Sequence, residues 1–254
     1  MTLHDPFNLA LEDATHHLSI TKASREELIS LIDLTLLDGQ ATKEDIQALA
    51  RKAANQQVAA ICIFPNHLSH LPANYPIKRA TVVNFPEGNE EISHVLSSIE
   101  IIASRHEADE IDYVFPYQHA LAGQEHEALL HCQYAYECTK QHGLTFKVIL
   151  ETGAFDSMNM IYNLSLSIIR QGCDFLKTST GKIAVGATPS AAFAILSAIR
   201  DSQLSCGIKL SGGIRTIEDA SLYLRLAEHM LQKRPEKSWF RIGASSLLDD
   251  ILNQ

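Results

Sequence analysis

The chain has 254 residues, 46% hydrophobic and 20% charged, so it can bury a full core and is not a disordered polymer. Its formal net charge of -9 argues against nucleic acid as a partner, because phosphate backbones are held by clustered Lys and Arg. Five cysteines without CxxC spacing speak against a disulfide framework or zinc knuckle; no stretch approaches the ~18–20 apolar residues of a membrane span, and a soluble cytoplasmic protein is expected.

Residues 1–23 form a polar preamble, expected to be a short helical extension. Beyond it the chain alternates two textures. Runs rich in Val, Ile, Phe and Leu predict strands at 32–35 (IDLT, the weakest), 58–64 (VAAICIF), 79–85 (RATVVNF), 110–115 (EIDYVF), 145–151 (TFKVILE), 175–180 (FLKTST), 206–211 (CGIKLS) and 240–243 (FRIG). Three-to-four-residue apolar periodicity predicts helices at 89–106, 125–142, 157–171, 189–201 and 217–231. Thr42 before Asp45 and Thr216 before Asp219 read as helix starts, and Gly143 and Gly172 as helix stops. Strands alternating with helices imply parallel pairing through right-handed crossovers. Eight such units without a long linker fit one α/β domain over residues 1–254, a (β/α)8 TIM barrel. An open doubly wound sheet fits less well, for the GxGxxG fingerprint is absent.

The informative residues are lysines inside strand runs: Lys147, Lys177 and Lys209. Lysine is depleted in strands and almost never buried without a partner. Spacings of 30 and 32 residues, one βα unit each, put them on successive strands ~5 Å apart. A free lysine of pKa ~10.4 is neutral in about one molecule in 2,500 at pH 7, and a nucleophilic amine needs its neutral form. A second cation and partial desolvation lower the pKa, so crowded barrel lysines point to a Schiff-base former. Lys177, followed by Thr178, Ser179 and Thr180, is the better nucleophile candidate, and Lys209 the perturbing cation. Lys147 is a third member, or a structural partner of Glu151 or Asp112. The bland alternative is that each lysine reaches solvent from a strand end.

Asp112 lies in an apolar strand, where a carboxylate must be paired. The barrel lysines can pair it, and it could move protons or merely satisfy them. Asp33, with Thr35 beside it, is a similar case. Cys62, among apolar neighbours that raise a thiol pKa, is expected in the core or a cavity wall. Three late loops carry glycines with Lys, Arg or Ser: Gly181-Lys182, Gly212-Gly213-Ile214-Arg215 and Gly243-Ala244-Ser245-Ser246. Glycine lets backbone N–H groups approach an anion, and barrels often bind phosphate with the loops after the last strands. The glycines could equally serve tight turns alone. His67 and His70 have a metal-site spacing but no ligand set beside them and are read as surface.

The segments AAICIFP, ATVVNFPEGN, ADEIDYVFPY, FKVILETG, DFLKTSTGKIAVGATP, GIKLSGGIRTIEDA and RIGASSLL together resemble the deoxyribose-phosphate aldolases, class I aldolases, over nearly the whole chain. The resemblance implies cleavage of 2-deoxy-D-ribose 5-phosphate to D-glyceraldehyde 3-phosphate and acetaldehyde, without metal or organic cofactor. It puts the Schiff-base lysine on Lys177, the assisting lysine on Lys209 and the proton-relay aspartate on Asp112. Phosphate contacts would fall on Gly181, Lys182, Gly213, Arg215, Ser245 and Ser246. The family often reads KPAGG where this chain has Lys209-Leu210-Ser211-Gly212-Gly213. Some relatives end in a tyrosine that assists proton transfer, whereas this chain reads Asn253-Gln254, so another group is expected in that role. A related Schiff-base lyase or transaldolase-like enzyme, and a non-catalytic barrel that binds a phosphometabolite, stay open as alternatives. The acidic surface is compatible with a monomer or a homodimer.

Overall fold

The computed structural model describes residues 11–12, 22–72 and 74–254; most of the preamble lies outside them. Eight parallel strands close into a barrel in sequence order: β1 (Ile32–Leu36), β2 (Ala60–Ile63), β3 (Lys78–Val83), β4 (Glu110–Val114), β5 (Thr145–Ile149), β6 (Phe175–Lys177), β7 (Gly207–Ser211) and β8 (Phe240–Ala244), with β8 pairing back to β1. The connecting helices are α1 (Arg25–Ile29), before β1, then α2 (Lys43–Gln56), α3 (Ile92–Ser104), α4 (Tyr117–Leu121), α5 (Glu125–Gln141), α6 (Met158–Gln171), α7 (Pro189–Ser202), α8 (Ile217–Leu231) and α9 (Leu247–Asn253). The fold is a (β/α)8 barrel.

Local chemistry sets these boundaries. Thr42 and Thr216 each form a reciprocal capping box, with Asp45 and Asp219, at the starts of α2 and α8. Gly143, at φ 70°, and Gly172, at φ 124°, follow α5 and α6 with positive φ angles that glycine adopts without strain. Strand β6 stops at Lys177 rather than running to residue 180. Thr178 N still donates to Lys209 O at 3.1 Å, but from there side chains join in: Thr178 Oγ1 and Ser179 Oγ both donate to Ser211 O, at 3.0 and 2.7 Å.

Side chains alternate across each strand. One set (Leu34, Ile61, Ile111, Phe146, Val148, Leu176, Ile208, Leu210 and Ile242) is fully buried in the apolar layer shared with the helices. The other set fills the barrel and divides by strand. On β2 and β3 it is small and apolar, with Ala60, Cys62, Ala80 and Val82 capped by Leu37, Phe64 and Phe85. On β1, β4, β5, β6, β7 and β8 it is charged, with Asp33, Glu110, Asp112, Lys147, Lys177, Lys209 and Arg241 all buried.

Candidate active site

Asp112 is the hub of the charged interior. Its Oδ1 accepts from Lys147 Nζ at 2.9 Å, and its Oδ2 from Lys177 Nζ at 2.8 Å and Lys209 Nζ at 2.7 Å. Strand register makes this possible. Asp112 pairs with Lys147 across β4 and β5, and Lys177 with Lys209 across β6 and β7, while Lys177 pairs two residues above Lys147, with Ile149. Lys147 thus reaches the carboxylate from one level and Lys177 and Lys209 from the next. The three lysine side chains are 0%, 3% and 0% exposed, which excludes their reaching solvent from the strand ends.

Asp33 supports the hub from β1. It binds Lys209 Nζ at 2.6 Å and Arg241 Nη1 at 2.6 Å, with Lys147 Nζ at 3.7 Å. Glu110 completes the floor, with Lys147 Nζ at 2.5 Å and Arg241 Nη2 at 3.0 Å. Glu110 and Arg241 are not picked out in the sequence, although each carries the signal that exposed the lysines, a charge inside a strand. Of the two partners offered for Lys147, Asp112 takes the role, whereas Glu151, buried after β5 at φ 55°, accepts from the Thr180 amide and hydroxyl.

Within the ion-paired network three carboxylates face four cations, and buried Glu151, its pKa raised by burial, lies outside the pairing though within the field of Lys177. Each ionised group costs several kcal/mol to bury, so the surplus proton sits least comfortably on the least paired group. Lys209 is held above its ordinary pKa, for Asp112 and Asp33 outweigh burial, and Lys147 is raised likewise by Asp112 and Glu110. Burial pushes Lys177 below the usual lysine value; its ion-paired carboxylate, Asp112, opposes this and the Lys209 charge adds to it. Asp112 itself lies well below the carboxylate range, since Lys147, Lys177 and Lys209 overcome its desolvation. In the resting site it is a carboxylate, a firm acceptor and a weak base. Burial raises the Cys62 thiol, which sits neutral in the apolar cluster of β2 and β3.

Above the network lies a cavity of about 310 Å³, bordered by Lys177, Thr35, Thr180, Gly181, Lys182, Gly212, Gly213, Arg215, Gly243, Ser245 and Ser246. Lys177 is the one network member at its edge. All three Gly-containing loops gather here, on the C-terminal face. Gly212 is at φ 89°, and a Cβ there would lie 2.5 Å from Ser179 Oγ. Gly243 serves a different end from a loop turn: a Cβ would come within 2.9 Å of Lys209 Cε, so the strand lacks a side chain where Lys209 crosses. Lys182 Nζ donates to Leu37 O at 2.7 Å, and Arg215 is exposed.

The reading of His67 as a surface residue does not hold. It is 5% exposed, packed in the short turn of 3-10 helix (Pro65–His70) after β2. Among the described residues, no three His, Cys, Asp or Glu side chains are gathered as a metal site would require.

A (β/α)8 barrel with a desolvated, under-paired lysine at the base of its mouth has the equipment of an amine-dependent carbonyl enzyme. The chain belongs to the DeoC/LacD family of aldolases, whose profile matches residues 27–252. It is 43% identical over 232 residues to the deoxyribose-phosphate aldolase of Agrobacterium fabrum, covering 89% of each chain. Among solved structures it resembles the tetrameric deoxyribose phosphate aldolase of Aeropyrum pernix, with TM-score 0.76, 28% identity and coverage of 96% of this chain and 95% of that one. A Coccidioides immitis protein superposes with TM-score 0.78 at 25% identity, over 96% of both chains.

Proposed function

We propose that the chain cleaves 2-deoxy-D-ribose 5-phosphate reversibly to D-glyceraldehyde 3-phosphate and acetaldehyde, through a Schiff base on Lys177. The observation that carries this reading is the excess of cations in the ion-paired network, relieved at Lys177, the one network lysine that borders the cavity. Neutral Lys177 Nζ attacks the C1 aldehyde of the open-chain sugar, and loss of water from the carbinolamine gives an iminium. The iminium restores the positive charge for which Asp112 Oδ2, 2.8 Å from Nζ, is already placed as counter-ion. It draws the electron pair of the C2–C3 bond, the C3 hydroxyl gives its proton to the Asp112 carboxylate, and D-glyceraldehyde 3-phosphate departs. The remaining enamine takes a proton at C2, and water returns acetaldehyde and the free amine.

Asp112 and Lys209 hold the positions from which a proton can be passed, with Lys209 as the stronger holder. Lys147 and Asp33 fix the hub from below and beside it. Cys62, close enough to feel the Lys177 charge, and the apolar cluster it shares with Val82, Phe64 and Phe85 make the barrel interior beside the amine nonpolar, which suits a fragment without a hydroxyl at C2. Lys182, Arg215, Ser245 and Ser246, with the backbone of Gly181, Gly212, Gly213 and Gly243, form the candidate phosphate grip. Phosphate binding there would hold the reacting carbons over Lys177, spending remote binding energy on orientation. The mechanism asks for no cofactor, and the partner is a small phosphorylated sugar. Five free, buried thiols are in keeping with a reducing, cytoplasmic setting.

The test is borohydride trapping with acetaldehyde, followed by intact mass and peptide mapping. A two-carbon adduct on Lys177 that is absent from Lys177→Ala supports the reading. A folded sample with no adduct, or with one only at another lysine, overturns it.

A further inference from the structure

The opposite face of the barrel carries a second, larger cavity of about 910 Å³, which the aldolase reading leaves unused. It opens where β2, β3, β4 and β8 begin, on the face that in such barrels normally serves stability. Its walls hold Lys78, Arg79, Lys237 and Arg241 against a single carboxylate, Asp109. This basic concentration belongs to a chain of net charge -9. Asp109 is already engaged by Arg79 Nε at 3.1 Å, and Lys78 stands 4.0 Å from it with 62% of its side chain exposed. Arg241 is spoken for by Asp33 and Glu110. Lys78, Arg79 and Lys237 therefore face the cavity with one carboxylate among them, an excess of two positive charges in a concave space that focuses their field. Tyr75 and Pro76 add an apolar wall, and Ser30 and Gln57 add hydroxyl and amide groups.

We propose that this cavity is a second anion site, taking a phosphate monoester, and that it reports to the catalytic lysines through Arg241. The route is short and continuous. Arg241 borders the cavity, binds Asp33 Oδ1 at 2.6 Å, and Asp33 Oδ2 binds Lys209 Nζ at 2.6 Å, which shares Asp112 with Lys177. An anion held at Lys78 and Lys237 competes with Asp33 and Glu110 for the field of Arg241. It thereby changes the charge balance in which Lys177 sits. The binding half of the inference stands without the aldolase reading; the reporting half rests on it.

The test is calorimetric titration of the full chain with inorganic phosphate, beside the charge-reversed double variant Lys78→Glu with Lys237→Glu. Both positions are exposed and outside the catalytic network, and circular dichroism checks the fold. Two phosphate sites in the parent, with one lost or weakened about tenfold or more in the double variant, support the site. A single site that the variant leaves unchanged overturns it, whatever the trapping experiment on Lys177 shows. For the reporting half, phosphate should lower turnover at saturating deoxyribose 5-phosphate in the parent and act only as a competitor in the variant. Pure competition in both proteins overturns the coupling and leaves the binding result standing.

Discussion

Lys177 and Lys209 are register partners on adjacent strands and donate to the same oxygen, Asp112 Oδ2, at 2.8 and 2.7 Å. The two lysines are nonetheless unequal. Lys209 has a second carboxylate, Asp33, while Lys177 has the cavity. One carboxylate oxygen thus serves one ammonium whose pKa is raised and another whose pKa is lowered, so Lys177 is the more readily deprotonated of the two.

Lys209→Met makes a prediction about pH. Removing Lys209 leaves three cations with three carboxylates, so the pressure on Lys177 to lose its proton falls. The pKa of Lys177 should then rise from its lowered value toward that of an ordinary lysine. In the proposed mechanism the nucleophile is the neutral Lys177 amine, so activity climbs with pH up to that pKa and then levels. The rising limb of kcat/KM should therefore move to higher pH, with a loss of roughly 100-fold or more near pH 7.5 that partly recovers in alkali. Trapping rates with acetaldehyde across pH measure this directly. An equal loss at every pH would assign Lys209 some task other than setting the Lys177 proton.

Asp33→Asn tests the floor of the network through stability. Asp33 holds Lys209 and Arg241, and losing it leaves buried cations short of a partner, at a cost of about 3–5 kcal/mol. The Asp33 carboxyl is held below its ordinary value by Lys209, Arg241 and Lys147 against its desolvation. A depressed carboxylate contributes stability that is complete above the unfolded value of about 3.9 and is lost as pH falls through the folded value. The gap between parent and variant in urea unfolding should thus be flat from pH 8 to about pH 5 and narrow only at lower pH. A gap that grows toward acid contradicts the pairing.

Much of this site was legible because lysine and aspartate are so costly in a buried strand that their presence there has to be explained. Lys147, Lys177, Lys209 and Asp112 stood out on that ground, and the one-unit spacing of the lysines put them on neighbouring strands. Glu110 and Arg241 belong to the same network but sit at strand ends 131 residues apart. Their pairing depends on how the closed barrel brings β4 and β8 across its interior, which no linear pattern states. Helix caps were readable at Thr42 and Thr216 because capping is local. The end of β6 was not, since Thr178 and Ser179 turn toward Ser211, more than thirty residues away. Burial of His67 depends on packing behind β2 and leaves no mark in periodicity.

The rim loops make a prediction about substrate parts. Arg215→Ala, alone and with Lys182→Ala, removes cationic side chains at the cavity edge, where the phosphate is proposed to bind. With deoxyribose 5-phosphate, kcat/KM should fall about 10–100-fold, through KM more than kcat. With unphosphorylated 2-deoxyribose the variants and the parent should be alike. Equal losses on both sugars would move the phosphate away from these loops.

Gly212→Ala tests how tightly that rim is built. Gly212 is at φ 89°, where an L side chain is strained, and its added Cβ would lie 2.5 Å from Ser179 Oγ and 2.8 Å from Gly186 Cα. Neither neighbour can yield freely. Ser179 Oγ donates to Ser211 O at 2.7 Å, and the Gly212 carbonyl accepts from Ala187 N at 2.9 Å, tying the β6 and β7 loops together. Alanine should cost about 1–3 kcal/mol, visible as a melting temperature lower by several degrees. Because the loops move together, KM for the phosphorylated sugar should rise in the same variant. A parent-like melting temperature with a raised KM would show a local clash that the loops absorb, and parent values of both would mean that the close approach of Gly212 to Ser179 and Gly186 does not shape the site.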